Sequence, residues 1–119
     1  MINLNTQKGP LYKQLADHII TQVISGQLQP GDKLSSARDF AVEVGVNPNT
    51  VIQTFQELER LDMTETKRGK GTFIRQDTNI TSLRSKKVKE ITTEYIKQLS
   101  SLGVAHSDIL QILQGELSQ

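Results

Sequence analysis

Ser35-Ser-Ala-Arg-Asp-Phe-Ala-Val-Glu-Val-Gly-Val-Asn-Pro-Asn-Thr-Val-Ile-Gln-Thr-Phe55 is the stretch on which the fold turns. Ser35 or Ser36 caps a short helix, since a serine hydroxyl accepts a first-turn N–H that the helix leaves unpaired. Such a helix would bury Ala37, Phe40, Ala41 and Val44. Gly45 suits the left-handed residue that follows a helix end. Val46-Asn47-Pro48 restarts the chain at once, with Asn47 as cap and Pro48 in the first helical position, where no N–H is needed. The pattern predicts a second helix over residues 48–61, with Val51, Phe55 and Leu58 on its apolar side. Asn49, Thr50, Gln53 and Gln56 occupy the other side, short or amide side chains rather than charges.

Working outward toward the N-terminus, Tyr12, Leu15, Ala16, Ile19, Ile20 and Val23 recur at helical spacing, with Pro10 as the expected first helical residue. Gly26 ends that helix, residues 28–32 read as a turn, and Leu34 returns to the core. Toward the C-terminus, two short segments rich in Thr, Phe and Ile flank the basic tip Lys67-Arg-Gly-Lys-Gly71, which reads as a β-hairpin. Residues 76–82 read as a linker. A long helix then runs to about Leu102, Gly103 breaks it, and Ser107 caps a last helix. The fold class expected is mainly α with one small β-hairpin. A winged helix-turn-helix domain (residues 1–76) is followed by a two-helix tail (residues 77–119).

Each part of this arrangement suits DNA. A helix fits the major groove and its N-terminal residues reach base edges. Asn and Gln pair in bidentate fashion with adenine, and Thr offers a hydroxyl and a methyl. Helix N-termini attract phosphate through free N–H groups and the dipole. A glycine-bearing tip with Lys67, Arg68 and Lys70 can enter a minor groove, whose negative potential favours cations. Each feature alone is also what a solvated helix or hairpin displays; their conjunction in this order points to DNA. Arg38, opposite the apolar side of its helix, could reach a phosphate or a guanine edge, or simply form a surface ion pair.

The combination resembles the GntR family of bacterial transcription regulators, and within it the small YtrA-like subfamily. The resemblance rests on Gly9-Pro-Leu-Tyr-Lys-Gln-Leu15, Ser25-Gly-Gln-Leu-Gln-Pro-Gly-Asp-Lys-Leu34, Ser36-Ala-Arg-Asp-Phe-Ala41, Gly45-Val-Asn-Pro-Asn-Thr-Val51 and Arg68-Gly-Lys-Gly-Thr-Phe73. It covers residues 8–75 closely, and the rest in length and helical pattern only. It implies DNA contacts from Arg38, supported by Ser36; from Asn47, Pro48, Asn49, Thr50 and Gln53; and from the wing residues Lys67, Arg68, Gly69 and Lys70. Ser35 stands where the family usually has proline, and Asp62 where glycine is common, so Asp62 must tolerate an unusual dihedral.

About forty residues follow the wing, too few for the metabolite-binding domain of larger relatives with a cavity of ~300 Å³ or more. Their apolar stripes, Val88, Ile91, Tyr95, Leu99 and Leu102 on the long helix and Ile109, Leu110, Ile112, Leu113 and Leu117 on the last, have no partner in a short tail. Packing on a second copy satisfies both, which is also what the subfamily resemblance implies. Folding back onto the winged domain is the alternative.

Composition excludes other classes. The chain of 119 residues lacks cysteine, which removes disulfides, thiol nucleophiles and cysteine-ligated zinc. His18 and His106 lie in different segments, too few ligands for a transition metal, and no nucleophile elbow or phosphate-binding loop is present. No enzyme activity, cofactor or metal is expected, nor a membrane span or signal segment, and a cytoplasmic location follows. Fourteen Lys and Arg against thirteen Asp and Glu leave a net charge of +1, so no global field marks a nucleic-acid partner. Two local runs can still meet phosphate, or be solvated: Lys67, Arg68, Lys70 and Arg75 without an acid between them, and Arg84, Lys86, Lys87 and Lys89 at the start of the tail. The second run either brushes the DNA backbone or is solvated.

The function expected is a homodimeric, sequence-specific DNA-binding regulator, a repressor in the simplest mechanism, on an inverted repeat. The resemblance implies its own operon and adjacent ABC transporter genes as targets. The competing reading, motivated by the low net charge, is a winged-helix protein-interaction module without DNA binding; the polar helix face and cationic tip argue against it. A small-molecule effector at the dimer interface is compatible with the first reading.

Overall fold

The structure, a computed structural model, describes residues 9–119. The element order is α1 (Leu11–Ser25), α2 (Ala37–Val44), α3 (Pro48–Arg60), β1 (Thr64–Lys67), β2 (Gly71–Ile74), α4 (Ile80–Ser101) and α5 (His106–Leu117). Two compact units divide the chain, one ending at Ile80 and one spanning Thr81–Gln119. Residues 1–8, the start of the expected first domain, lie outside the described residues. The fold is the mainly helical one expected, with five helices and a two-stranded antiparallel hairpin.

The core of the first unit lies where α1, α2 and α3 meet. Leu15, Ala16, Ile19 and Val23 of α1 are buried against Val51 and Leu58 of α3, with Ala41, Leu34, Met63 and Ile74 completing the cluster. Tyr12 and Ile20, expected in the same stripe, are half-buried at its margins. Thr54, which no apolar count selects, is fully buried too. Its hydroxyl lies 2.8 Å from the Thr50 carbonyl and 3.3 Å from that of Tyr12, so one proton is shared between α3 and α1. Phe40 and Phe55 join α2 to α3 edge to face, ring centroids 6.0 Å apart.

Helix boundaries follow the expected punctuation, with two corrections and one open choice settled. Pro10 is the cap of α1, not its first helical residue: its ψ of 141° is extended, and its carbonyl accepts from Lys13 and Gln14 N–H. Ser36, not Ser35, caps α2 by accepting from Asp39 N–H at 3.1 Å; the Ser35 hydroxyl donates instead to Glu43. At the other end of the chain Ala105, not Ser107, occupies the cap of α5. The turn out of α4 places Val104 N–H on the Leu99 carbonyl, so the chain is already extended at Ala105 and helical from His106. The linker is also shorter than expected, because α4 begins at Ile80.

β1 and β2 pair in the register Thr64↔Ile74 to Lys67↔Gly71. The segment before α2, expected only as a turn, adds a third edge to this hairpin. Lys33 bridges Phe73, with Leu34 N–H on the Thr72 carbonyl at 2.8 Å, Ile74 N–H on Asp32 at 2.8 Å and Gly31 N–H on Ile74 at 2.7 Å. The wing is thereby tied to the base of α2 rather than standing alone. Asp62 adopts φ 59°, the unusual dihedral its position requires.

In the second unit α4 buries no residue completely. Leu83, Tyr95, Ile96 and Leu99 are half-buried, while Val88, Ile91 and Leu102 are exposed at 56%, 60% and 79%. On α5, Ile109 is buried, and Leu110, Ile112, Leu113 and Leu117 are exposed. Ser100 Oγ and His106 Nε2 lie 3.0 Å apart across the turn. No helix among the described residues is long and apolar enough to cross a membrane.

Candidate nucleic-acid interface

The helix-turn-helix is fixed by its two caps. Ser36 holds the start of α2, and Asn47 holds that of α3 by accepting Asn49 N–H on its side-chain oxygen at 2.8 Å. Pro48 begins α3, as the sequence pattern predicts. Gly45, at φ 74°, lets α2 end and α3 start with only three residues between them. Thr50 N–H bonds the Asn47 carbonyl at 2.9 Å, so the first-turn donors of α3 are already satisfied. The expectation that these N–H groups stand free for phosphate is therefore corrected; the helix dipole and the side chains remain.

Those side chains point outward. Asn47, Pro48, Asn49 and Gln53 are exposed on α3, with Thr50 half-buried, while Val51, Thr54 and Leu58 face the core. Arg38 is exposed on α2 and forms no ion pair among the described residues. The turn of α3 thus presents amides to the outside, and amides are donors and acceptors at once, the requirement for bidentate base contacts.

The wing tip is a tight turn in which Lys70 N–H bonds the Lys67 carbonyl at 2.8 Å. Gly69 adopts φ 76°, and Gly71, at φ 119°, passes the Lys33 side chain so closely that a Cβ would lie 2.8 Å from its Cε. The positive φ at both positions favours glycine, while the Lys33 side chain could move aside for a Cβ at Gly71. Arg68 and Lys70 are exposed at the tip without an ion-pair partner among the described residues. Lys67 is held back: its Nζ lies 4.8 Å above the Phe73 ring and 3.7 Å from Glu65. Arg75, counted in the basic run, belongs elsewhere. Its guanidinium makes twin hydrogen bonds to Asp77 at 3.0 and 2.8 Å and lies 3.6 Å from Asp62. Those bonds raise the Arg75 pKa and hold the Asp77 carboxyl below its usual value.

A groove of about 900 Å³ separates the wing tip from the start of α2; Ser36, Asp39, Phe55, Arg68 and Lys70 line it. It brings together Ser36 and the four wing residues singled out in the sequence, but its lining does not include Arg38 or the first turn of α3. Lys33 also lines it and escaped the sequence reading. The available signal was its place between two turn residues and Leu34, but only pairing with Phe73 puts it beside the tip. Ile52, exposed on α3, was likewise missed. Among the described residues no cluster of His, Cys, Asp or Glu could hold a metal ion.

Known proteins bear directly on this geometry. The family described as "Bacterial regulatory proteins, gntR family" matches residues 11–74. The chain is 41% identical to the uncharacterised HTH-type transcriptional regulator YhcF of Bacillus subtilis over 112 residues, 93% of each chain. It is 38% identical to the HTH-type transcriptional repressor YtrA of the same organism, covering 83% of this chain and 75% of that one. A GntR family transcriptional regulator from Listeria monocytogenes superposes with a TM-score of 0.80 at 32% identity, over 90% of this chain and 95% of that structure. These relatives are named as regulators, not enzymes. With its capped helix pair, wing and matching relatives, the chain belongs to the GntR family and is a helix-turn-helix transcriptional regulator.

Proposed function

We propose that this regulator is a repressor that binds an inverted-repeat operator in the cytoplasm as a homodimer. The observation that carries the DNA contact is the outward amide face of α3, set in the same unit as a wing tip whose Arg68 and Lys70 have no ion-pair partner among the described residues. Asn49 and Gln53 read base edges, Arg38 meets a phosphate or a guanine edge, and Arg68 and Lys70 enter the adjacent minor groove. Ser36 and Asn47 act chiefly by capping and thereby aiming these helices. Lys33 adds a cation at the groove wall.

Dimerisation is supported by the second unit. Val88, Ile91 and Leu102 on α4 and Leu110, Ile112, Leu113 and Leu117 on α5 stay exposed in the single chain. Tyr95 and Leu99 are half-buried, whereas Ile109 is already buried in the single chain. A second copy covers such stripes by symmetry, and a two-fold dimer presents two α3 helices to two half-sites. Repression needs no further chemistry than occupying promoter DNA, and one relative is named a repressor. Its own operon and neighbouring ABC transporter genes are the first targets to try, as the family resemblance implies.

Gel shifts with the DNA upstream of its own coding sequence test this reading. Asn49→Ala should weaken specific binding by about 1–3 kcal/mol and relax the preference for one base. Arg68→Ala should weaken every duplex, most where the minor groove beside the recognition helix is narrow, and reduce the salt slope by about one unit per wing. Full binding by both variants would remove these residues from the interface.

A further inference from the structure

The outward face of α3 is not purely polar. Positions 49, 52, 53 and 56 recur at three-and-four spacing and so share one side of the helix. Asn49, Gln53 and Gln56 are exposed there, and between them stands Ile52 with 45% of its surface open. Val51, Thr54 and Leu58 occupy the opposite, buried side, so Ile52 stands outside the fully buried core. A lone exposed aliphatic residue is ordinary on a protein surface. This one sits among the amides that are suited to adenine.

The major-groove edge of an A·T pair offers two things: the N6 and N7 pattern that an Asn or Gln amide recognises, and the 5-methyl group of thymine. That methyl is the apolar feature of the groove. Cytosine instead presents its N4 amino donor, which an isoleucine would desolvate without replacing its hydrogen bond. An isoleucine set one turn from Asn49 and beside Gln53 matches the first pattern and opposes the second. We propose that Ile52 reads a thymine 5-methyl group and sets a preference for thymine over cytosine at one position of each half-site. This assignment rests on the DNA-binding reading above and names part of its specificity.

The test uses the full chain. Duplexes are selected from a random-sequence library, and each thymine of the enriched half-site is replaced in turn by deoxyuridine, which lacks only the methyl group. The wild-type protein should lose about fourfold in affinity per methyl at one position, as expected for one apolar methyl returned to water. Ile52→Ala should bind more weakly than wild type and be indifferent to deoxyuridine at that position, while Ile52→Val should retain part of the effect. Because the side chain is half-exposed and outside the fully buried core, the variants should stay folded at the assay temperature, with Ile52→Val unfolding close to wild type. Enrichment of a duplex on which wild type tolerates deoxyuridine everywhere would overturn the assignment of Ile52 alone. So would an unchanged deoxyuridine penalty in Ile52→Ala. Enrichment of no duplex at all would overturn the DNA reading and this assignment with it.

Discussion

Asp62 holds φ 59° in the turn from α3 to β1, where its N–H bonds the Glu59 carbonyl at 3.0 Å and that of Met63 bonds Leu58 at 2.9 Å. A side chain with a Cβ is strained there, though aspartate tolerates the region better than most. Asp62→Gly should therefore stabilise the fold by about 1 kcal/mol, read from urea unfolding. The carboxylate that it removes lies 3.6 Å from Arg75 but is 84% exposed, so little is lost with it. A net loss of stability would mean that this pair outweighs the strain. The other surface pairs set a pH response. Arg60 donates twice to Glu57 at 2.7 Å, and this holds the Glu57 carboxyl below its usual 4.5, as Arg75 holds Asp77 below its usual 3.8. Lower folded values mean that the stabilisation is fully present above the usual values and is lost as pH falls through the folded ones. The Tm gap between wild type and Glu57→Gln should stay constant from about pH 8 to about pH 6 and close toward about pH 3. A gap that persists at the acid end would assign the difference to packing instead.

At the scale of elements, the caps decide. Asn47 carries the start of α3 through one hydrogen bond, so Asn47→Ala should cost about 1 kcal/mol in unfolding free energy. Asn47→Asp keeps the acceptor and the cap, and should unfold like wild type while binding DNA less well through its added negative charge. If Asn47→Ala binds and folds as wild type, the cap contributes nothing that the rest of the helix does not supply. These elements were legible in the sequence because their signals are local: Asn-Pro at a helix start, Gly45 after a helix end, glycines in the wing turn. What was not legible depends on where distant segments meet. Nothing in Pro30-Gly-Asp-Lys-Leu34 says that Lys33 will pair with Phe73, and only that pairing puts Lys33 at the groove. Nor could the basic run show that Arg75 turns to Asp77 and Asp62 while Arg68 and Lys70 have no ion-pair partner among the described residues. The choice between Ser35 and Ser36 as cap was settled by Glu43, eight residues on, which takes the Ser35 hydroxyl. Thr54 and Thr64 show the same limit in the core. Both are fully buried, and the Thr64 hydroxyl has no hydrogen-bond partner among the described residues, so their burial comes from tertiary contact against their chemical type.

For the whole molecule, a net charge of +1 says little, because attraction to DNA is decided by which cations remain unpaired and where they stand. What the whole chain does have to resolve is the apolar surface of its tail. Ile91 and Leu110 are exposed at 60% and 65%, so replacing either by aspartate should leave the single-chain fold intact. In a dimer, the same carboxylate would be buried without a partner, which should weaken association by about 3 kcal/mol or more, a hundredfold or greater. Sedimentation equilibrium should then show wild type as a dimer and Ile91→Asp and Leu110→Asp as monomers at equal concentration, with unchanged unfolding of the winged unit. Loss of the dimer should also separate two affinities that wild type couples. Binding to a full inverted repeat should fall toward that for a half-site, since the second half-site is no longer delivered by a tethered neighbour. Half-site binding itself should hardly change, because Asn49, Gln53 and Arg68 lie in the other unit. Variants that remain dimeric would move the interface away from these stripes, and a monomeric wild type that binds the repeat at full affinity would remove the dimer from the mechanism.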